Sequence, residues 1–268
     1  IGLGAANNEE IVEKIGAAAA EEIRATGIEW TFAPTLGIPD SERWGRYYEC
    51  FGEDPTVVSD MGAAYVKGFQ QNGVAATAKH YIGEGQTQNG VNQGNVVTSE
   101  YGVGFDELME QKQHLAPYQA AIEAGAYTVM ASYNSVDGVK CHANKHLLTD
   151  VLKGNTETGG LGFKGFVVSD YNGVDQVAAD SYEAKVAASI DAGVDMFMEP
   201  YDWENCMKAI IAGVNGGTIS QERVDDAVSR LLRVKFEMGL FEEEVADENE
   251  KELLEKFGGE EHRAVARE

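Results

Sequence analysis

At 268 residues the chain is long enough for one large core, and single α/β barrels commonly run to about 250 residues. Hydrophobic residues make up 43% and charged residues 25%, ordinary globular values that favour neither a disordered chain nor a membrane protein. The formal net charge of −24 repels phosphate, which argues against nucleic acid or an anionic membrane as partner and leaves neutral or cationic ligands. Three cysteines, Cys50, Cys141 and Cys206, show no CxxC spacing, so neither a disulfide framework nor a zinc site is indicated.

From the N-terminus, helical and strand-like segments alternate. A helix over 8–26 precedes the apolar Trp30-Thr31-Phe32-Ala33, and a helix over 55–71, opened by Asp54-Pro55, leads into Val74-Ala75-Ala76-Thr77-Ala78. The rhythm repeats with 115–124 before Tyr127-Thr128-Val129-Met130-Ala131, with 145–152 before Gly165-Phe166-Val167-Val168, and with 181–192 before Val194-Asp195-Met196-Phe197-Met198. Short continuous apolar runs between helices are the pattern of parallel strands buried on both faces. Periodicity alone does not separate a doubly wound sheet from a closed barrel. The polar clusters that end the strands do: Lys79-His80, Ser132-Tyr133-Asn134, Ser169-Asp170 and Glu199 would assemble at one mouth of a TIM-type (β/α)8 barrel.

Five strands are clear, fewer than the eight of a closed barrel. Helices over 203–214 and 221–238 follow, and an acidic stretch from Glu242 to Glu248 leads out of the core. Residues 1–240 are therefore expected to form the barrel domain and 241–268 a linker. Both termini fall within domain-like sequence, so a fragment of a longer protein is expected. The N-terminus lacks the basic-then-apolar grammar of a signal peptide, which leaves the compartment open.

Asp170 stands where a buried strand reaches the barrel mouth. A fixed, partly desolvated carboxylate suits attack on an anomeric carbon, and the same position suits an N-cap for the next helix. Position leaves both roles open. Lys79 and His80 end another strand, where a buried lysine needs a carboxylate or ligand hydroxyls. Arg43 and Arg46 flank Trp44-Gly45. Their forks can bind vicinal hydroxyls and the indole can stack on a sugar face, although a surface salt bridge suits Arg43 better. Glu49, Glu53 and Asp54 stand close enough to orient that pair. His142 and His146 have i, i+4 spacing but lack a zincin glutamate and a third ligand, so no metal is expected. Gly102-Val103-Gly104 lacks the third glycine of a dinucleotide loop.

Together these motifs resemble the N-terminal barrel domain of glycoside hydrolase family 3. The segment Arg43-Trp44-Gly45-Arg46 with Glu49 and Gly52-Glu53-Asp54-Pro55 is similar to the family's RWGR…E…GEDP. Lys79-His80-Tyr81 with Gly83-Glu84-Gly85, then Met130-Ala131-Ser132-Tyr133-Asn134, then Gly165 to Asp170 follow in the family's order. The resemblance implies a retaining, exo-acting β-glucosidase with no cofactor, acting on β-glucosides or β-glucan oligosaccharides in a periplasmic or secreted setting. It makes Asp170 the nucleophile, puts Arg46, Lys79 and His80 on the hydroxyls of the −1 sugar, and sets Tyr133 and Met130 beside the nucleophile. The aromatic after the nucleophile, often Trp, is Tyr171 here, a smaller platform for the +1 sugar.

The resemblance also implies what to look for beyond these residues. A retaining enzyme needs a general acid about 5 to 5.5 Å from the nucleophile. In β-glucosidase-like members it comes from a following α/β sandwich domain, so the remainder of a parent chain is the expected partner. Hexosaminidase-like members use an Asp–His pair after the KH motif, and residues 84–98 contain no histidine. The family's barrel also begins with a strand and a sugar-binding Asp upstream of Ile1. Two further readings remain open: a β-xylosidase of the same family, and a non-catalytic sugar-binding barrel.

Overall fold

The computed structural model describes residues 1–97, 114–242 and 247–268. Gly102-Val103-Gly104 lies outside the described residues. After a short helix α1 (Gly2–Ala6), the Asn8 side chain accepts the N–H of Ile11 at 3.2 Å and caps α2 (Glu9–Arg24). Such a cap is worth about 1 kcal/mol. Glu9 and Glu10 in the first turn and Arg24 in the last complement the helix dipole. α3 (Pro55–Gln71) starts where the sequence indicates, with the Asp54 carboxylate accepting the Thr56 N–H at 2.8 Å.

Val12, Gly16 and Ala20 form the buried stripe of α2 at helical spacing. Along it, α2 and α3 meet backbone to backbone. A Cβ on Gly68 would stand 2.3 Å from the Glu13 carbonyl oxygen and 3.0 Å from the Gly16 Cα, so alanine there would force the helices apart.

The central sheet is parallel, with β1 (Thr77–Tyr81), β3 (Thr128–Ala131) and β6 (Phe166–Val168) in that order. Single bridges extend it on both sides: Trp30 pairs with Ala75 and Thr35 with Lys79, while Val168 pairs with Met196. The five apolar runs thus lie side by side in chain order. A doubly wound sheet reverses its order at a switch point, whereas a barrel wall advances in one direction. The observed order is that of the barrel wall.

At the N-terminal end of the sheet, Trp30 Nε1 donates to Thr77 Oγ1 at 2.9 Å and to Thr128 Oγ1 at 3.1 Å, satisfying the hydroxyls of adjacent strands. Val58, Met61 and Phe69 of α3 pack with Ala78, Val129 and Val167 in the main core. Asp195 joins three parts of this wall. Its buried carboxylate receives Lys153 Nζ at 2.7 Å, Arg223 Nη2 at 2.5 Å and the Val167 N–H at 2.8 Å.

The remaining helices are α4 (Ala116–Glu123), α5 (Tyr182–Ala192), α6 (Trp203–Gly216), α7 (Gln221–Glu237), α8 (Asp247–Lys256) and α9 (Glu260–Arg267). The segment expected as an α-helix over 145–152 is instead π-helical over His146–Leu152. A small second sheet joins β2 (Asn95–Val96), β4 (Ser135–Val136) and β5 (Val139–Lys140). In the stretch read from sequence as a linker, α9 lies against α2, where His262 reaches Glu21 and Glu22.

Candidate active site

Thr35, β1, β3 and β6 run in the same direction, so their C-terminal ends share one edge of the wall. Asp170 follows β6 there. The loop that carries it is pinned to the neighbouring segment: the Ser169 N–H donates to the Met196 carbonyl at 2.9 Å and the Met198 N–H to Ser169 Oγ at 2.7 Å. The N-cap role left open by sequence is not the one observed. Ser181 caps the next α-helix, and the 3₁₀ turn Gly173–Gln176 begins at Asn172.

Asp170 is 7% exposed. Its main-chain N–H donates to His142 Nε2 at 2.9 Å, and its Oδ1 accepts the Tyr171 N–H at 2.7 Å. Oδ2 is buried without a hydrogen-bond partner. His80 Nε2 stands 3.5 Å from it. One carboxylate oxygen is therefore fixed by a hydrogen bond and the other is not.

His80 is itself held, by Glu84 at Nδ1 and by Arg46 Nη2, which lies 3.4 Å from Nε2. Arg46 is clamped by Glu49 through two bonds of 2.9 and 2.8 Å, a bidentate fork that raises its pKa further. Glu49 thus orients the arginine, as the sequence reading allowed. Glu53 instead binds the Tyr47 hydroxyl at 2.6 Å, and Asp54 caps α3. The Lys79 ammonium, on the same strand as His80, has no hydrogen-bond or ion-pair partner among the described residues. Burial and then Arg46 lower its pKa, against the pull of Glu49, Glu84 and Asp170. Two cations and a histidine thus gather near Asp170.

Tyr133 donates its hydroxyl to the Tyr171 carbonyl, and burial followed by the Asp170 charge raises its pKa. The Tyr171 ring is 44% exposed and meets Tyr201 edge-on, centroids 5.9 Å apart. Met130 is buried in a cluster with Phe166, Val168 and Val234. Trp44 departs from expectation. It is 1% exposed with Nε1 bonded to Asn92 Oδ1 at 3.1 Å, so its face is committed to the core and is not offered to a sugar. Arg43 is exposed.

His142 and His146 do not share a helix face, since His142 lies in the 3₁₀ turn Cys141–Ala143 and His146 opens the π-helical segment. Among the described residues, no group of three or more His, Cys, Asp or Glu side chains is disposed to hold a metal ion. Sequence reasoning missed two contributors. Glu84 was visible only as the residue between two glycines, and nothing in the sequence pointed His142 at Asp170. Glu199, at the end of the next segment, is 5% exposed with its pKa pushed up to about 7, by burial first and then by Asp175 and Asp202. Those neighbours set it in a separate acidic cluster.

Comparison with known proteins gives this arrangement a family. The chain is 35% identical to the lysosomal beta glucosidase of Dictyostelium discoideum over 258 residues, covering 90% of the chain and 30% of that protein. It is 33% identical to a beta-xylosidase of Formosa agariphila, covering 87% of the chain and 33% of the relative. The crystal structure of an exo-1,3/1,4-beta-glucanase from a Pseudoalteromonas species superposes with a TM-score of 0.89 at 39% identity, covering 100% of this chain and 33% of that one. The chain thus spans about a third of the length of these proteins. The model of the glycosyl hydrolase family 3 N terminal domain matches residues 1–234. With the wall order of a (β/α)8 barrel and the site at its C-terminal edge, the chain belongs to glycosyl hydrolase family 3.

Proposed function

We propose that the chain carries the nucleophile and the −1 sugar subsite of a retaining, exo-acting β-glucosidase, with Asp170 as the nucleophile. The carrying observation is the asymmetry of its carboxylate. The Tyr171 N–H fixes Oδ1, while the buried Oδ2 has no hydrogen-bond partner and lies 3.5 Å from His80 Nε2, which has Arg46 Nη2 at 3.4 Å. In the reaction, Oδ2 forms a bond to the anomeric carbon as the bond to the leaving oxygen breaks, and water then cleaves the glycosyl ester. Arg46, Lys79 and His80 would take the hydroxyls of the sugar, Met130 and Tyr133 would wall the subsite, and Tyr171 would meet the +1 sugar.

The leaving oxygen needs a proton. Among the described residues, Glu49 and Glu84 are the carboxylates gathered with Asp170, and each has both oxygens engaged, by Arg46 and by His80. The general acid is therefore proposed to come from polypeptide other than these residues, with 1–240 as the barrel and 241–268 as the link to it. β-Glucosides and β-glucan oligosaccharides are the proposed substrates, in a periplasmic or secreted setting. The lysosomal name of the Dictyostelium relative fits such a setting, and no helix among the described residues is long and apolar enough to cross a membrane.

The name of the Formosa relative supports a second reading, β-xylosidase. Dinitrophenyl β-glucoside and β-xyloside separate the two, because this leaving group departs without a general acid. Faster release from the glucoside, abolished by Asp170→Asn, supports the first reading. Faster release from the xyloside supports the second.

A further inference from the structure

Glu84 sits between Gly83 and Gly85, whose φ values of +88° and +82° turn the chain sharply. The turn sends the Glu84 side chain back to His80, four residues earlier. There Oε1 accepts the His80 main-chain N–H at 2.7 Å and Oε2 lies 2.8 Å from Nδ1 of the ring. Both residues are buried, at 3% exposure each. Gly37 makes the room: a Cβ there would stand 2.7 Å from Glu84 Cγ and 2.9 Å from its Oε1.

A carboxylate oxygen only accepts hydrogen bonds, so both groups facing it must donate. The main-chain N–H always does. Ring Nδ1 does so only when it carries the proton, which in the neutral ring leaves Nε2 bare. That bare nitrogen is the one turned toward Arg46 Nη2 at 3.4 Å and Asp170 Oδ2 at 3.5 Å.

We propose that Glu84 is a positioning residue: it fixes the tautomer and plane of His80 so that Nε2 is presented as an acceptor beside Asp170. The consequence for binding rests on the reading of the surroundings of Asp170 as a sugar subsite. A hydroxyl that donates to Nε2 is then selected, and a sugar lacking it leaves a buried acceptor unpaired.

The test uses long-range 1H–15N correlation spectra of the labelled chain, with His80 assigned by its loss in His80→Asn. In the wild type the neutral ring keeps its proton on Nδ1. In Glu84→Gln the amide oxygen retains the main-chain N–H and the amide NH2 faces Nδ1, so the proton moves to Nε2 and glucose affinity falls ~10- to 100-fold. Glu84→Asp, which keeps a carboxylate, retains the Nδ1 proton. A wild-type ring that carries a proton on Nε2 at neutral pH, as the other neutral tautomer or as the imidazolium, overturns the proposal, whatever the fate of the variants. So does Glu84→Gln with an unchanged tautomer. A wild type that binds no glucose counts against the sugar-subsite reading, and the tautomer of the same sample still decides the role of Glu84.

Discussion

The main-chain N–H of Asp170 donates to Nε2 of His142 across 2.9 Å, so the proposed nucleophile is held by a histidine that must stay unprotonated at that nitrogen. Burial keeps it so, pulling the His142 pKa down to about 3. In the unfolded chain the ring titrates near 6.5. Between those values the unfolded state binds the extra proton, so this group's stabilisation is full above about pH 6.5 and is lost as pH falls toward 3. From this source alone, about 2 kcal/mol is expected to go between pH 7 and pH 5. His142→Gln offers an amide oxygen to the same N–H and removes the titration, so its urea-unfolding stability should vary less over that interval. A variant that loses as much as the wild type would contradict the assignment.

Asp195 makes a second prediction, about the wall that carries the site. Its carboxylate is buried with Lys153 and Arg223, and removing one member of such a group leaves charges without partners. Asp195→Ala is expected to cost about 3 to 5 kcal/mol in urea unfolding. A loss below about 1 kcal/mol would show that the cluster contributes little.

Helix α9 is fastened to α2 by His262, whose Nδ1 lies 2.8 Å from Glu22 Oε1 and whose Nε2 lies 3.0 Å from Glu21 Oε2. Two carboxylates require N–H at both ring nitrogens, and only the imidazolium supplies both. Burial works against the charge, but Glu22 and Glu21 outweigh it and the pKa ends above its ordinary value. A raised histidine stabilises fully below about 6.5, and the contribution is lost as pH rises through its folded value. The α9 amides should therefore exchange faster at pH 8 than at pH 6, after correction for intrinsic rates, and His262→Gln should abolish the difference. Equal wild-type protection at both pH values would contradict the clasp.

Much of the wall was legible because buried parallel strands leave continuous apolar runs, and the five runs are the five adjacent segments. The small second sheet was missed, although Asp137-Gly138 between two valines is a hairpin signal and both residues have positive φ. Its strands are too short for alternation to show. Asp170 could be placed at a strand end, yet its N-cap role fell away only with Ser181 capping the following helix. Trp44 was misread because a tryptophan between two arginines carries no mark of burial, and Asn92, its hydrogen-bond partner, is distant in sequence. Glu84 and His142 share a reason for escaping notice: each acts on another residue, Glu84 on the His80 ring and His142 on the Asp170 main-chain N–H, through geometry that composition does not encode.

The most direct test of the central claim is trapping with dinitrophenyl 2-fluoro-β-glucoside followed by peptide mapping. The activated leaving group departs without a general acid, and the fluorine slows breakdown of the glycosyl ester, so the chain can be tested as it stands. One fluoroglucosyl group on Asp170, absent in Asp170→Asn, is the expected result. Label on another residue, or undiminished labelling of Asp170→Asn, would contradict the account.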